Sequence, residues 1–225
     1  MDRMEDLVLI IVAAGSSTRF GGREKQLELL NGLPVFLHSV RELSGCARAT
    51  VIATPKGRAG EYRETAAKYG FTDGLHFVEG GLCRSESVKN GLRKAGEILE
   101  NGIVAIHDAA RPLARTETLL ELVASARAFG GAAPGKKATD TLLKADDENM
   151  MNDCVPRAGI WQIATPQVFR LGELLAAYNA AGEHEYTDDT QVFFNNGGKI
   201  KIIEERYPNV KITYKEDLER IRRLL

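Results

Sequence analysis

The sequence has no excess of either charge sign, no paired cysteines, no membrane-length apolar run, and neither common phosphate-loop fingerprint. Its 225 residues carry 30 basic and 31 acidic side chains, for a formal net charge of -1. Nucleic-acid binders show a basic excess, so that class is disfavoured. The charges also mix along the chain, so an anionic ligand must be held locally. Cys46, Cys83 and Cys154 stand apart, with no C-x-x-C pair and no histidine pair nearby. That scatter argues against a zinc site and fits a reducing compartment. The apolar run Leu7–Ala14 is about eight residues long, far short of the roughly 20 that span a bilayer. Acids precede it in MDRMEDLVLIIVAAG, unlike a signal peptide. A cytoplasmic protein is expected. No internal repeat or low-complexity segment stands out.

What is present suits a soluble globular chain, 44% hydrophobic and 27% charged. Its length predicts one domain over residues 1–225. Short apolar runs alternate with longer amphipathic ones. LVLIIVAA, ATVIATP, LHFVEGG and GIVAIHDAARP read as strands. Between them, a segment from Pro34, GEYRETAAKYG and SESVKNGLRKAGEILE read as helices. TETLLELVASARAFG follows as a helix capped by Thr116 and stopped by Gly130. This alternation predicts an α/β fold, Rossmann-like and doubly wound around a mainly parallel sheet. Residues 136–161 break the rhythm and predict a hairpin arm around the polar turn DDEN. The arm is either a surface excursion or, since an isolated hairpin is marginal in water, a dimerisation arm. Helical pattern resumes at TPQVFRLGELLAAYNAAG, and Thr187 is expected to cap a short helix. A strand KIKIIEE and a last helix follow, the latter with a capping box of Thr213 and Glu216.

In an open α/β sheet, ligands bind at the carboxyl ends of the strands. Three such ends carry unusual residues: Gly15-Ser16-Ser17-Thr18-Arg19, Gly80-Gly81 with Arg84, Ser85 and Ser87, and Asp108-Ala109-Ala110-Arg111. Gly15 and small hydroxyl residues let backbone N–H groups approach an anion. Arg19 adds a fork of donors and Lys25 a mobile point charge, a pair suited to a polyphosphate. The competing reading is an ordinary turn with solvated basic residues. Asp108 is placed either to hold Mg²⁺ beside phosphates or to cap a turn. His107 reads as a strand-end packing residue.

The motifs AAGSSTRF…KQ, VEGGLCRSESV, HDAARP, TDTLL, PR…W…TPQVF, TDD and NVKIT…EDL run in one order along nearly the whole chain. In that order the sequence resembles the 2-C-methyl-D-erythritol 4-phosphate cytidylyltransferases, nucleotidyltransferases of isoprenoid precursor synthesis. The resemblance implies a nucleotide-binding α/β sheet with a dimerising arm, hence a homodimer through residues 136–161. It implies that CTP and methylerythritol phosphate react to give the CDP-alcohol and pyrophosphate, with Mg²⁺ as cofactor. It assigns Arg19 and Lys25 to the triphosphate and the transferring phosphorus. Ala13, Ala14, Gly15, Gly81, Ser87 and Asp108 fall to the nucleotide, and Asp108 also to the metal. Arg157, Thr165, Thr187 and Lys211 fall to methylerythritol phosphate, with Thr141 nearby and Arg157 reaching from the partner's arm.

The chain departs from the family's pattern at four places. Leu82 stands where an acid is usual, Phe20 where Met is usual, and Glu24 where Pro is common. The acid usually before N-[IV]-K is replaced within ERYPNVK. Two other readings stay open: a cytidylyltransferase acting on another polyol phosphate, such as ribitol 5-phosphate, and a non-catalytic nucleotide-binding module.

Overall fold

The computed structural model describes residues 3–15, 20–21, 24–182 and 186–225. The first half of the chain contains β1 (Met4–Val12), β2 (Leu29–Leu30), β3 (Leu33–Pro34), α1 (Val35–Leu43) and β4 (Ala47–Thr54). It continues through α2 (Ala59–Lys68), β5 (Leu75–Glu79), α3 (Arg84–Ile98), β6 (Ile103–Asp108) and α4 (Thr116–Phe129). The second half contains β7 (Gly131–Lys137), β8 (Leu142–Ala145), β9 (Met151–Val155), β10 (Trp161–Ile163) and β11 (Gln167–Arg170). It ends with α5 (Leu171–Ala180), α6 (Asp189–Asn195), β12 (Ile200–Glu204) and α7 (Lys215–Arg222).

Among the described residues the main sheet has eight strands, ordered β10-β7-β11-β6-β1-β4-β5, with β12 also on β7. β6, β1, β4 and β5 run parallel, as the alternation predicts. β1 is buried on both faces, which explains its unbroken apolar run. Leu7, Leu9 and Ile11 share one core with Phe36, Leu37 and Val40 of α1 and Leu119 and Leu122 of α4. Val8, Ile10 and Val12 share the other with Val88, Leu92 and Ala95 of α3. The sheet is thus wound on both sides, and Val12 sits opposite both Ala53 and Asp108 at one edge.

The structure corrects several local expectations. QVFR is strand β11, antiparallel between β6 and β7, and the helix begins only at Leu171. The helical spacing Leu171, Leu174, Ala177 and Tyr178 starts there as well. Strand β7 has no sequence signal, because GAAPGKK is built from residue types that strands disfavour. Arg115, not Thr116, is the cap residue of α4, and the Thr116 hydroxyl instead donates to the Glu42 carbonyl. Asp188, not Thr187, caps α6 by accepting from the Thr190 N–H. The last capping box is Tyr214 with Asp217, one residue beyond the predicted pair. Within 136–161, β8 pairs only with β9, while the flanks are rooted in the sheet where Trp161 pairs with Lys137.

Candidate active site

Because β1, β4, β5 and β6 are parallel, their carboxyl ends share an edge, and the predicted loops converge there. After β1, Ala13 is buried and donates its N–H to the Ala53 carbonyl, 2.8 Å, while Gly15 is exposed. After β5 the chain turns at Gly80-Gly81. A Cβ on Gly80 would lie 2.4 Å from the Ala14 Cβ, so only glycine lets the two loops touch. Ser87 accepts from the Gly81 N–H (3.1 Å) and donates to the Cys83 carbonyl (2.9 Å), which fixes that turn.

Asp108 ends β6, and the chain turns back at once, the Arg111 N–H donating to the Asp108 carbonyl, 3.0 Å. Around the Asp108 carboxylate stand three cations. Arg84 Nε is 3.2 Å from Oδ1, Lys211 Nζ 2.7 Å from Oδ2, and Arg111 Nε 3.7 Å from Oδ2. Burial would raise the Asp108 pKa, but Arg84, Lys211 and Arg111 overcome it and hold the group well below the usual carboxylate range. Arg84 also reaches Asp189 Oδ2 at 2.8 Å, and the Tyr178 hydroxyl donates to the other oxygen of that buried carboxylate. Burial would lower the Arg84 pKa, but Asp189 and Asp108 push it well above its ordinary value. Gln167 donates to Asp188 Oδ2, 2.6 Å, and so seats the start of α6.

Arg84, Asp108, Arg111, Gln167, Asp188 and Lys211, with Thr165 and Thr187, line a cavity of about 160 Å³. Two buried nitrogens of its lining arginines, Arg84 Nη1 and Arg111 Nε, have no hydrogen-bond acceptor. Buried donors ordinarily have partners, and paired arginines suit a phosphate. The arrangement can therefore hold a phosphorylated ligand beside a fixed carboxylate.

A family profile for 2-C-methyl-D-erythritol 4-phosphate cytidylyltransferase matches residues 7–225. The chain belongs to that family. A cytidylyltransferase of this name from Caldanaerobacter subterraneus is 34% identical over 215 residues, 93% of this chain and 94% of the relative. The solved Francisella tularensis 2-C-methyl-D-erythritol 4-phosphate cytidylyltransferase superposes with a TM-score of 0.84 at 25% identity, covering 98% of this chain and 100% of that one. The 4-diphosphocytidyl-2C-methyl-D-erythritol synthase of Anaerococcus prevotii gives 0.81 at 26% identity, covering 98% of each chain.

Set against this family's pattern, Asp108, Thr165, Thr187 and Lys211 all line the one cleft. Ala13, Ala14 and Gly15 follow β1, Gly81 follows β5, and Ser87 lies in the first turn of α3. Lys25 donates to the Ile212 carbonyl, 2.9 Å, beside the Lys211 segment. Arg19, with Ser16, Ser17 and Thr18, lies outside the described residues. Arg157 and Thr141 are not in the cleft lining. Arg157 is exposed at the foot of the hairpin and donates to the Thr139 carbonyl, and Thr141 is exposed beside it. Sequence reasoning gave no role to Arg84, Arg111, Gln167, Asp188, Asp189 or Asn209, although Arg84 and Arg111 stood at the singled-out strand ends and the other four lie within the motifs TPQVF, TDD and NVKIT.

The departures also have physical accounts. Phe20 is buried against Ala110, Leu113, Ile212 and Leu218, so the larger ring fills a small core under the loop. Glu24 accepts from the Tyr62 hydroxyl (3.0 Å) and pairs with Arg58 (2.6 Å), so a carboxylate anchors the loop there. Leu82 is 96% exposed, and its N–H donates to Glu86 Oε2, 2.6 Å. Among the described residues no helix is long and apolar enough to cross a membrane.

Proposed function

We propose that this protein joins CTP and 2-C-methyl-D-erythritol 4-phosphate to give 4-diphosphocytidyl-2-C-methyl-D-erythritol and pyrophosphate, in the non-mevalonate isoprenoid pathway. The observation that carries the reading is the ring of Arg84, Arg111 and Lys211 on Asp108, lining one cleft with two guanidinium nitrogens unpaired. A phosphate oxygen of the acceptor attacks the α-phosphorus of CTP. The bond from that phosphorus to the bridging oxygen breaks, and its electron pair leaves on pyrophosphate. An ionised phosphate is already a nucleophile, so the protein need supply no covalent one; its work is alignment and charge stabilisation.

Arg111 and Lys211, with Thr187 at the rim, hold the acceptor phosphate. Arg19 and Lys25 act on the triphosphate, where charge grows on the transferring phosphorus and on departing pyrophosphate. The Gly80-Gly81 turn and Ser87 shape the pyrimidine pocket. Asp108 keeps the three cations from repelling one another and fixes their spacing.

Among the described residues no group of three or more His, Cys, Asp or Glu side chains is placed for a metal. One carboxylate at the strand end does not make a cage. Asp108 would be the carboxylate nearest an Mg²⁺ carried by the triphosphate, and such an ion would supply Lewis acidity and charge neutralisation.

A homodimer is part of the same proposal. Paired side chains share a face of a hairpin, so Leu143–Cys154 and Ala145–Met151 form an apolar face, while Lys144–Asp153 lies on the other. Leu143 is 52% and Met151 61% exposed, as befits a face that a second copy covers. That packing carries the Arg157 of one subunit toward the cleft of its partner. Three free cysteines fit a cytoplasmic enzyme.

Pyrophosphate release from CTP and Mg²⁺ with each candidate polyol phosphate tests the reading. Release with methylerythritol phosphate is expected. Release with ribitol 5-phosphate alone would reassign the substrate, and CTP binding without release from any acceptor would leave a nucleotide-binding module.

A further inference from the structure

The residues behind the Asp108 cleft form a closed hydrogen-bonded cycle. The Thr165 hydroxyl lies 3.1 Å from His107 Nδ1, and His107 Nε2 lies 3.1 Å from the Arg111 carbonyl. Arg111 Nη1 donates to the Asn209 carbonyl (2.8 Å), and Asn209 Nδ2 donates to the Thr165 carbonyl (2.8 Å). A carbonyl can only accept, so His107 carries its proton on Nε2 and Nδ1 must accept from Thr165. Every member therefore donates to the next in one sense: Thr165 to His107, His107 to Arg111, Arg111 to Asn209, Asn209 to Thr165. The run from the Thr165 hydroxyl through the His107 ring to the Arg111 carbonyl is continuous, and bonds of a common direction in such a run polarise one another.

The cycle also takes in Asp108, whose N–H donates to the Thr165 hydroxyl at 3.0 Å. That hydroxyl thus has its hydrogen on His107 and one lone pair on Asp108. It retains no hydrogen for a phosphate. His107 and Thr165 are buried, as is Asn209, two residues before Lys211.

We propose that His107, Thr165 and Asn209 are positioning residues that act as one unit, locking Asp108, Arg111 and Lys211 into the geometry that receives the acceptor phosphate. Thr165 then serves the reaction through His107 and Asp108, not by touching substrate. The proposal rests on the reaction read above for its kinetic consequence. It joins three separate stretches, HDAAR, TPQ and NVK, whose polar residues are otherwise unexplained neighbours.

A double-mutant cycle tests it. Thr165→Val and His107→Phe are each expected to lower kcat by about tenfold to a hundredfold, the scale of small misplacements. Any rise in KM for the polyol phosphate should be the same in both variants, since both act through Arg111 and Lys211 and neither removes a contact of its own. The double variant should be no slower than the slower single one, and Thr165→Ser should restore most of the rate. Losses that multiply, or a KM rise in Thr165→Val that His107→Phe does not share, would overturn the proposal and make Thr165 a substrate contact.

Nitrogen-15 spectra read the same cycle without turnover. The wild type should show a protonated Nε2 and an accepting Nδ1 on His107. Thr165→Val should move the Nδ1, Arg111 and Lys211 resonances, and Thr165→Ser should not. Unmoved Arg111 and Lys211 resonances would overturn the proposal. If His107→Phe does not fold, Asn209→Ala takes its place in the cycle. If the wild type releases no pyrophosphate with any acceptor, the reaction reading falls and the resonances alone decide the cycle.

Discussion

The strand-end cluster and the β8–β9 hairpin solve opposite problems with similar parts. Each contains a lysine–aspartate pair, Lys211–Asp108 at 2.7 Å and Lys144–Asp153 at 3.2 Å. In the cluster the aspartate is buried, and further bonds to backbone carbonyls and side chains hold its surroundings. In the hairpin both partners are exposed, and β8 and β9 bond only to each other. Charge in the cluster is fixed by burial and is therefore costly to disturb. Charge in the hairpin is solvated, and what matters there is the uncovered apolar face.

Removing the central charge should break this contrast most sharply. Asp108→Asn leaves Arg84, Arg111 and Lys211 facing one another without an anion. Breaking a buried pair in this way costs about 3–5 kcal/mol. Denaturant melts should show that loss, and added inorganic phosphate should recover part of it. A melt unchanged from wild type would mean the cations are not held by Asp108.

Acid should find the cluster next. Burial, opposed by Asp108 and the Arg111 carbonyl, lowers the His107 pKa from 6.5 to about 4. The unfolded chain therefore takes up the proton first. Stability is intact above pH 6.5 and is lost as pH falls through the window from 6.5 to 4, by at most about 3 to 4 kcal/mol at 1.36 kcal/mol per unit. Melts in metal-free buffer across that window should show the slope, and His107→Phe should flatten it. A slope that survives in that variant belongs to another group.

Lys25→Ala should cost turnover about a hundredfold or more, as with other preorganised charge donors. Its melt should fall less than that of Asp108→Asn, because the bond from Lys25 to the Ile212 carbonyl lies outside the buried charge cluster. Near-normal turnover would show that the loop lysine is a solvated turn residue.

The fold was legible where burial imposes a period. The run Leu7 to Val12 is apolar because β1 has a helix layer on each face, and the α3 spacing Val88, Leu92, Ala95 faces it directly. Parallel alternation then placed Asp108 and the two glycine turns on one edge. The antiparallel side was not legible: β7 is glycine, alanine, proline and lysine, and β11 runs without a break into α5. Nor were the polar partners, for Arg84 meets Asp189 across 105 residues and Asn209 meets Thr165 across 44. Such bonds follow from how turns stack at the sheet edge, and no period in the sequence records that.

The hairpin carries the smallest effects, and they separate its two faces. Leu143→Ser with Met151→Ser removes exposed apolar area, so the monomer's own melt should move little, within about 0.5 kcal/mol for surface changes. If the face is covered by a second copy, sedimentation should shift toward monomer, and an unchanged profile would place the dimer contact elsewhere. Lys144→Ala sits on the opposite face and breaks only the exposed pair with Asp153. Solvent screening and the entropy of holding two mobile side chains leave such pairs with 0.2–1 kcal/mol, roughly, and often less. Its melt and its sedimentation should both match wild type. Lys211→Ala, the same substitution opposite a buried carboxylate, should lower the melt measurably, because Asp108 then keeps only Arg84 and the more distant Arg111. Equal effects at the two lysines would mean that burial of the aspartate, and not the ion pair's length, has been given too much weight.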